Sequence, residues 1–283
     1  MAIIYVGGLS NSRAGAVTTY SQSLSGTLSG GTDTSPLEGD LVLVNVAAAS
    51  ANSYRPTTMA VSGWNNLAFQ TEEAVTNNSY QQISYLFMSA TPETSITIPS
   101  TGNNRNAQTW TVQVFRNVDV NNPLAVVYAT GNATGRPNPS AITPAAANSW
   151  ILWLGSSAAA TGATFTAPTD FSTNWLTNTQ ADTYDSSTGA GYYTGWSSGS
   201  YDPAAITAGG TTGSTDSWVA ATIALRPGVL TKTITETATI SENVAIAISL
   251  GTQTETVSAT DVFSYELTPA SGQSTGNFLI FMM

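Results

Sequence analysis

Apolar and polar residues alternate along this chain in short runs. In WTVQVFRNVD, residues 110–119, Trp110, Val112 and Val114 alternate with Thr111, Gln113 and Phe115. In residues 80–88, Tyr80, Gln82, Ser84, Leu86 and Met88 share one face, while Gln81, Ile83, Tyr85 and Phe87 share the other, inner face. A period of two is the mark of a β-strand. LVLVNVAAA, residues 41–49, is apolar on both faces and suits a central strand covered on both sides. The same pattern predicts strands near 2–6, 17–24, 40–49, 57–61, 66–74, 80–88, 94–98, 108–116, 124–130, 150–157, 179–184, 190–197 and 216–225. Helix signals are nearly absent, because the alanine runs at 47–49, 145–147 and 158–160 are short and flanked by Ser, Thr, Asn or Pro. Many short strands with turn residues between them predict an all-β fold, a jelly-roll-like β-sandwich, with a sandwich of another topology as the alternative.

The connections differ in character. Residues 26–40, GTLSGGTDTSPLEGD, read as a mobile link before the first core strand. Residues 99–106 form a turn-rich tip, and residues 130–144 carry Pro137, Pro139 and Pro144, which favour an extended, semi-rigid path. Residues 184–203 read as a loop that interleaves Gly and Ser with Tyr184, Tyr192, Tyr193, Trp196 and Tyr201.

A boundary falls at ALRPGVL, residues 224–230, where Pro227 and Gly228 end a strand and the composition changes. Tryptophan then disappears and Thr and Glu rise. The reading is a β-sandwich domain over 1–227 and a small C-terminal β module over 228–283. In the latter, the segment from Thr235 to Glu242 aligns with that from Thr254 to Asp261. Two copies of such a unit are too few to cover their own faces. The chain ends in NFLIFMM, whose Phe278, Leu279, Ile280 and Phe281 need a covering surface and are candidate oligomer contacts.

Composition narrows the chemistry. Of 283 residues, 41% are hydrophobic and only 8% are charged, against about 25% in an average soluble domain. A surface rich in Ser, Thr, Asn, Gln and Gly, with few Lys and Glu side chains to order, suits a crowded assembly or an extracellular setting. The formal charge is −10 and Lys232 is the single lysine, so a phosphate backbone would be repelled and nucleic-acid binding is not expected. There is no histidine and no cysteine. That removes the Ser-His-Asp triad, imidazole ligands, thiolate chemistry and disulfides. The start, MAIIYVGGLSNSR, lacks a signal-peptide pattern, and no run approaches 18 apolar residues, so membrane insertion is not expected.

The order of segments resembles a group of bacteriophage and prophage virion β-proteins. The stretches that carry the resemblance are MAIIYVGG, PLEGDLVLVNVAAAS, VSGWNNL, YLFMSATPETSITI, AQTWTVQVFRNVDVNNPL, GRPNPSAITPAAANSWILWLG and DSWVAATIALRP. It covers about residues 1–227. The resemblance implies a non-enzymatic structural protein of the virion, made in the host cytoplasm: a tail or fibre component, or alternatively a capsid decoration protein. It implies other virion proteins as partners and, by analogy with fibres, a homotrimer. It brings no catalytic signature and no cofactor.

Several residues have competing readings. Arg116 could hold a carboxylate of a ligand or neighbouring subunit, or pair with Asp119 across a tight turn. Asp182, Asp185, Asp202 and Asp216 could form an acid pair or ligate calcium, but acids among Gly and Ser are ordinary turn formers, and no catalytic or metal site is assigned. Tyr184, Tyr192, Tyr193, Trp196 and Tyr201 are the ligand or interface candidates, able to face a host-surface glycan or a neighbouring protein. Trp64, Trp110, Trp150, Trp153 and Trp218 lie in strand contexts and read as core. A carbohydrate-binding module or carbohydrate-active enzyme is the rival of another class, and a secreted adhesin is a third.

Overall fold

A computed structural model of the chain describes residues 1–228 apart from 17, 51–55, 60–61, 74–76, 103–105, 133–135, 159–164, 172, 174 and 207–215. The chain divides into two units, Met1–Lys232 and Thr233–Met283, and every described residue lies in the first. The C-terminal module, its repeat and Phe278–Phe281 lie outside the described residues.

The described part is a β-sandwich. The first sheet contains β1 (Ile4–Arg13), β3 (Leu41–Ser50), β4 (Asn65–Asn66), β5 (Gln70–Glu72), β6 (Asn78–Phe87) and β8 (Gln108–Arg116). Its order is β1-β8-β3-β6-β4, with β5 also on β6. The second sheet contains β9 (Leu124–Gly131), β10 (Trp150–Ser157), β11 (Leu176–Gln180), β12 (Ser186–Tyr193) and β13 (Trp218–Leu225), in the order β11-β12-β10-β13-β9. A ribbon of β2 (Tyr20–Ser23) and β7 (Ser95–Ile98) stands apart. All these pairings are antiparallel. The all-β sandwich is as expected. Its wiring is sequential, since every strand of one sheet precedes every strand of the other, whereas a strict jelly roll passes strands back and forth.

Three apolar layers follow from strand alternation. Between the sheets lie Ile3, Tyr5, Leu41, Leu43, Ile83 and Phe115, against Leu152, Leu154, Ala221, Ile223 and Leu225. On the outer face of the first sheet, Val42, Val44, Val46, Trp110, Val112 and Val114 pack under Leu24, Leu28, Ile96 and Ile98. On the outer face of the second sheet, Ile151, Trp153 and Ala224 pack under Ile142, Phe165, Phe171 and Ile206. Strand β8 is therefore sealed on both sides: Trp110, Val112 and Val114 face the ribbon, and Phe115 faces the other sheet.

Four expectations change. Residues 57–59 of the strand expected over 57–61 are not strand, and 60–61 are not described. The last two strands before β13 begin earlier, at Leu176 and Ser186 in place of 179 and 190. SSTGAGYY carries one β-branched residue and two glycines, so propensity misses a strand that burial defines. Residues 26–40 are no free link. Ser29 exchanges backbone hydrogen bonds with Gly8, both 3.0 Å, Asp33 N donates to the Val6 carbonyl at 2.9 Å, and Thr32 N donates to that of Tyr5 at 3.2 Å. This segment closes the outer edge of β1.

Candidate functional site

The five aromatic candidates do not share one loop. Strand β12 runs through the middle of residues 184–203 and sends its side chains to opposite faces. Tyr192 turns inward. It stacks on Trp150 with ring centroids 4.9 Å apart and lies 4.7 Å from Tyr5 and 6.1 Å from Phe115. It packs, partly buried, against the layer between the sheets. Tyr184 is half-buried just before β12, where its carbonyl accepts Ala107 N at 2.9 Å.

Tyr193, Trp196 and Tyr201 meet on the outer face of the second sheet. Tyr193 and Tyr201 stack at 4.9 Å with an interplanar angle of 23°. Both also touch Phe171, at 6.2 and 6.3 Å. The Tyr201 hydroxyl donates to Asp170 Oδ2. Burial first, and then that bond, push the Tyr201 hydroxyl well above the ordinary tyrosine range. The hydroxyl therefore stays protonated near neutral pH. Trp196 Nε1 donates to the Gly199 carbonyl at 3.0 Å and closes its own turn. Backbone bonds between Ile142 and Tyr201, 2.9 and 2.8 Å, tie this segment to the proline-rich stretch.

The glycines of β12 serve packing. A Cβ on Gly189 would lie 2.6 Å from the Trp175 ring, and one on Gly191 would lie 2.7 Å from it. Trp175 thus lies flat on the strand because nothing stands between them. Its Nε1 donates to the Phe165 carbonyl at 3.0 Å, and it packs 5.2 Å from Trp153. Sequence reading placed those glycines in a loop and missed Trp175, a residue whose only signal was its type.

Arg116 does not pair with Asp119. Its Nε donates to Asp40 Oδ1 at 2.8 Å, its Nη2 to Asp40 Oδ2 at 2.9 Å and its Nη1 to Asp33 Oδ2 at 3.1 Å. The register is the cause: Leu41 opposes Phe115, so Asp40 arrives one step on, beside Arg116. Asp119 Oδ1 instead accepts Asn121 N and Asn122 N, as a turn former does. Asp182 accepts Gly15 N at 2.8 Å and ties two distant segments together, and Asp185 accepts Asp182 N at 2.8 Å and holds a turn. Asp202 is exposed. Asp216 is 5% exposed, and burial raises its carboxyl pKa. Among the described residues no group of three or more acidic side chains is placed to hold a metal ion. Trp110 and Trp153 are fully buried, and Trp64 and Trp150 pack partly buried against the apolar layers.

The arrangement therefore offers a surface. A cavity lined by Asn122, Ser149, Arg226 and several alanines measures 30 Å³, room for about one water. The half-exposed rings of Tyr193, Trp196 and Tyr201, with Asp170 beside them, form one aromatic group left near solvent. No protein family, no curated protein and no solved structure matches this chain.

Proposed function

We propose that this chain is a non-enzymatic structural protein of a bacteriophage virion, a tail or fibre component that can take part in host attachment. Capsid decoration is the alternative position within the same reading. The observation that supports it most is how the few reactive side chains are used. Arg116 binds Asp33 and Asp40, Asp119 and Asp185 hold turns, Asp182 ties down Gly15, and Tyr201 is bound to Asp170. Groups so engaged make a rigid, charge-sparse body suited to packing among copies and other virion proteins. The segments that resemble virion β-proteins span the same part of the chain, and a homotrimer is proposed on that likeness alone.

Mass spectrometry of purified particles, separated into heads and tails, tests the assignment. The chain is expected in the tail fraction; recovery in heads moves it to decoration, and absence from particles overturns the proposal. A carbohydrate-binding module is the second reading, favoured by Tyr193, Trp196 and Tyr201 beside Asp170, since such rings cover sugar faces. Tyr193→Ala with Trp196→Ala tests it. Unchanged glycan binding and adsorption remove that role from the cluster.

A further inference from the structure

A sheet edge exposes unpaired N–H and C=O groups and templates pairing with another strand, so folds blunt their edges. Three edges of this sandwich are blunted from within the chain. On β1, residues 29–33 form the backbone bonds described above. Strands β4 and β5 are two and three residues long, and Glu72 ends the latter. Strand β11 is five residues long and is held by β1, with Ser10 Oγ donating to the Thr177 carbonyl at 2.9 Å and Ser12 Oγ to Gln180 Oε1 at 3.1 Å.

The fourth edge, β9, is different. It is eight residues long and reads LAVVYATG, with no charge and no proline. It pairs with β13 on one side only. Among the described residues no backbone group outside the sheet bonds to it. The one side-chain bond to its main chain runs from Ser140 Oγ to the Tyr128 carbonyl, 3.2 Å. That segment lies over the face of the sheet, where Thr222 Oγ1 donates to the Ser140 carbonyl.

We propose that β9 pairs antiparallel with β9 of a second copy of this chain, joining two five-stranded sheets into one across a twofold axis. The sequence of the strand selects this occupant. Pairing centred on Val127 sets Ala125 opposite Ala129, Val126 opposite Tyr128 and Leu124 opposite Thr130. Leu124, Val126 and Tyr128 face the inter-sheet layer, and Val127 faces the outer one. Val126 therefore meets Tyr128 on the inner face and Val127 and the alanines meet their counterparts on the outer one, with Leu124 against Thr130 at each end. In a chain of charge −10, this strand brings no like charges together. The contact is independent of the virion assignment and of any contact made elsewhere in the chain.

Sedimentation of the full chain at micromolar concentration tests it, beside an Ala125→Lys, Thr130→Lys variant. Ala125 and Thr130 are exposed, so the fold survives, and lysine is how natural edges are protected. The expected result is that the variant sediments at half the mass of the wild type. Backbone amides of residues 124–131 in the wild type are expected to exchange more slowly as protein concentration rises. Equal masses for the two proteins, or exchange at 124–131 that ignores concentration, overturn self-pairing and leave the edge to a strand of different sequence. Exchange on the wild type alone decides the matter if the variant does not fold.

Discussion

The space between the two sheets has two unlike ends. At one end Leu41, Phe115, Leu225 and Ile3 meet Trp150 and Tyr192, and the packing is apolar and aromatic. At the other, the same strands turn polar. Ser79 Oγ meets Ser156 Oγ at 3.2 Å, Thr109 Oγ1 meets Ser186 Oγ at 3.0 Å, and Asn45 Nδ2 donates to Thr188 Oγ1 at 3.1 Å. Gln81 and Gln113 are buried in this layer, and neither amide has a hydrogen-bond partner among the described residues. On the outer face of the first sheet, Val42, Val44 and Val46 of β3 lie beside Val114, Val112 and Trp110 of β8, and the packing there is apolar. Burial alone thus does not measure what a layer contributes. One end gains from removing carbon from water, about 1.5–3 kcal/mol per large side chain. The other pairs several hydroxyls at a small net gain of about 1 kcal/mol per bond, and leaves the Gln81 and Gln113 amides, the Thr111 hydroxyl and the Asn45 amide oxygen unsatisfied at about 1–3 kcal/mol per group.

The contrast predicts effects of different size and sign. Phe115→Ala, which empties the apolar end, is expected to cost about 3–5 kcal/mol in urea unfolding. A loss as small as that of a surface substitution would show that the apolar end does not dominate. Arg116→Ala leaves Asp40, whose side chain is fully buried, without its cation. The expected loss is about 3 kcal/mol, the low end for a broken buried pair, because the Arg116 side chain is 27% exposed. Asp40→Asn with Arg116→Ala should recover part of that loss.

At the polar end the sign reverses. Gln113→Met keeps the volume and removes two unsatisfied atoms, so it is expected to stabilise by about 1 kcal/mol. A destabilised variant would show that the amide has a partner that its buried surroundings conceal. Asp216→Asn is expected to have the smallest effect, and one that depends on pH. The Asp216 pKa is raised on folding, chiefly by burial, above its ordinary 3.8. The folded state therefore holds its proton more tightly than the unfolded chain. Stability from this group is fully present below about pH 4 and is lost as pH rises through the folded-state value. The asparagine variant removes that loss, so its advantage over the wild type should grow from about pH 4 upward and then level off. Thermal unfolding across that range measures it, and parallel curves would refute it.

What this sequence settles by itself is local. Strict alternation in residues 80–88 and 108–116, with turn residues between runs, was enough for strands, because one side chain in two must leave each face of a pleated strand. The absence of histidine and cysteine settled which chemistries the chain lacks. Tertiary structure decided the rest. Propensity could not place β12, since SSTGAGYY becomes a strand only where Trp175 and the other sheet cover it. Only packing sends Tyr192 to the inter-sheet layer against Trp150 and Tyr193 to the outer layer against Tyr201, each partly buried. The Arg116–Asp40 pair spans 76 residues and exists because the β3–β8 register sets Leu41 opposite Phe115. Likewise, an uncharged run such as LAVVYATG reads the same in a central strand as at an edge. Its neighbours alone determine whether its outer hydrogen-bonding groups already have partners.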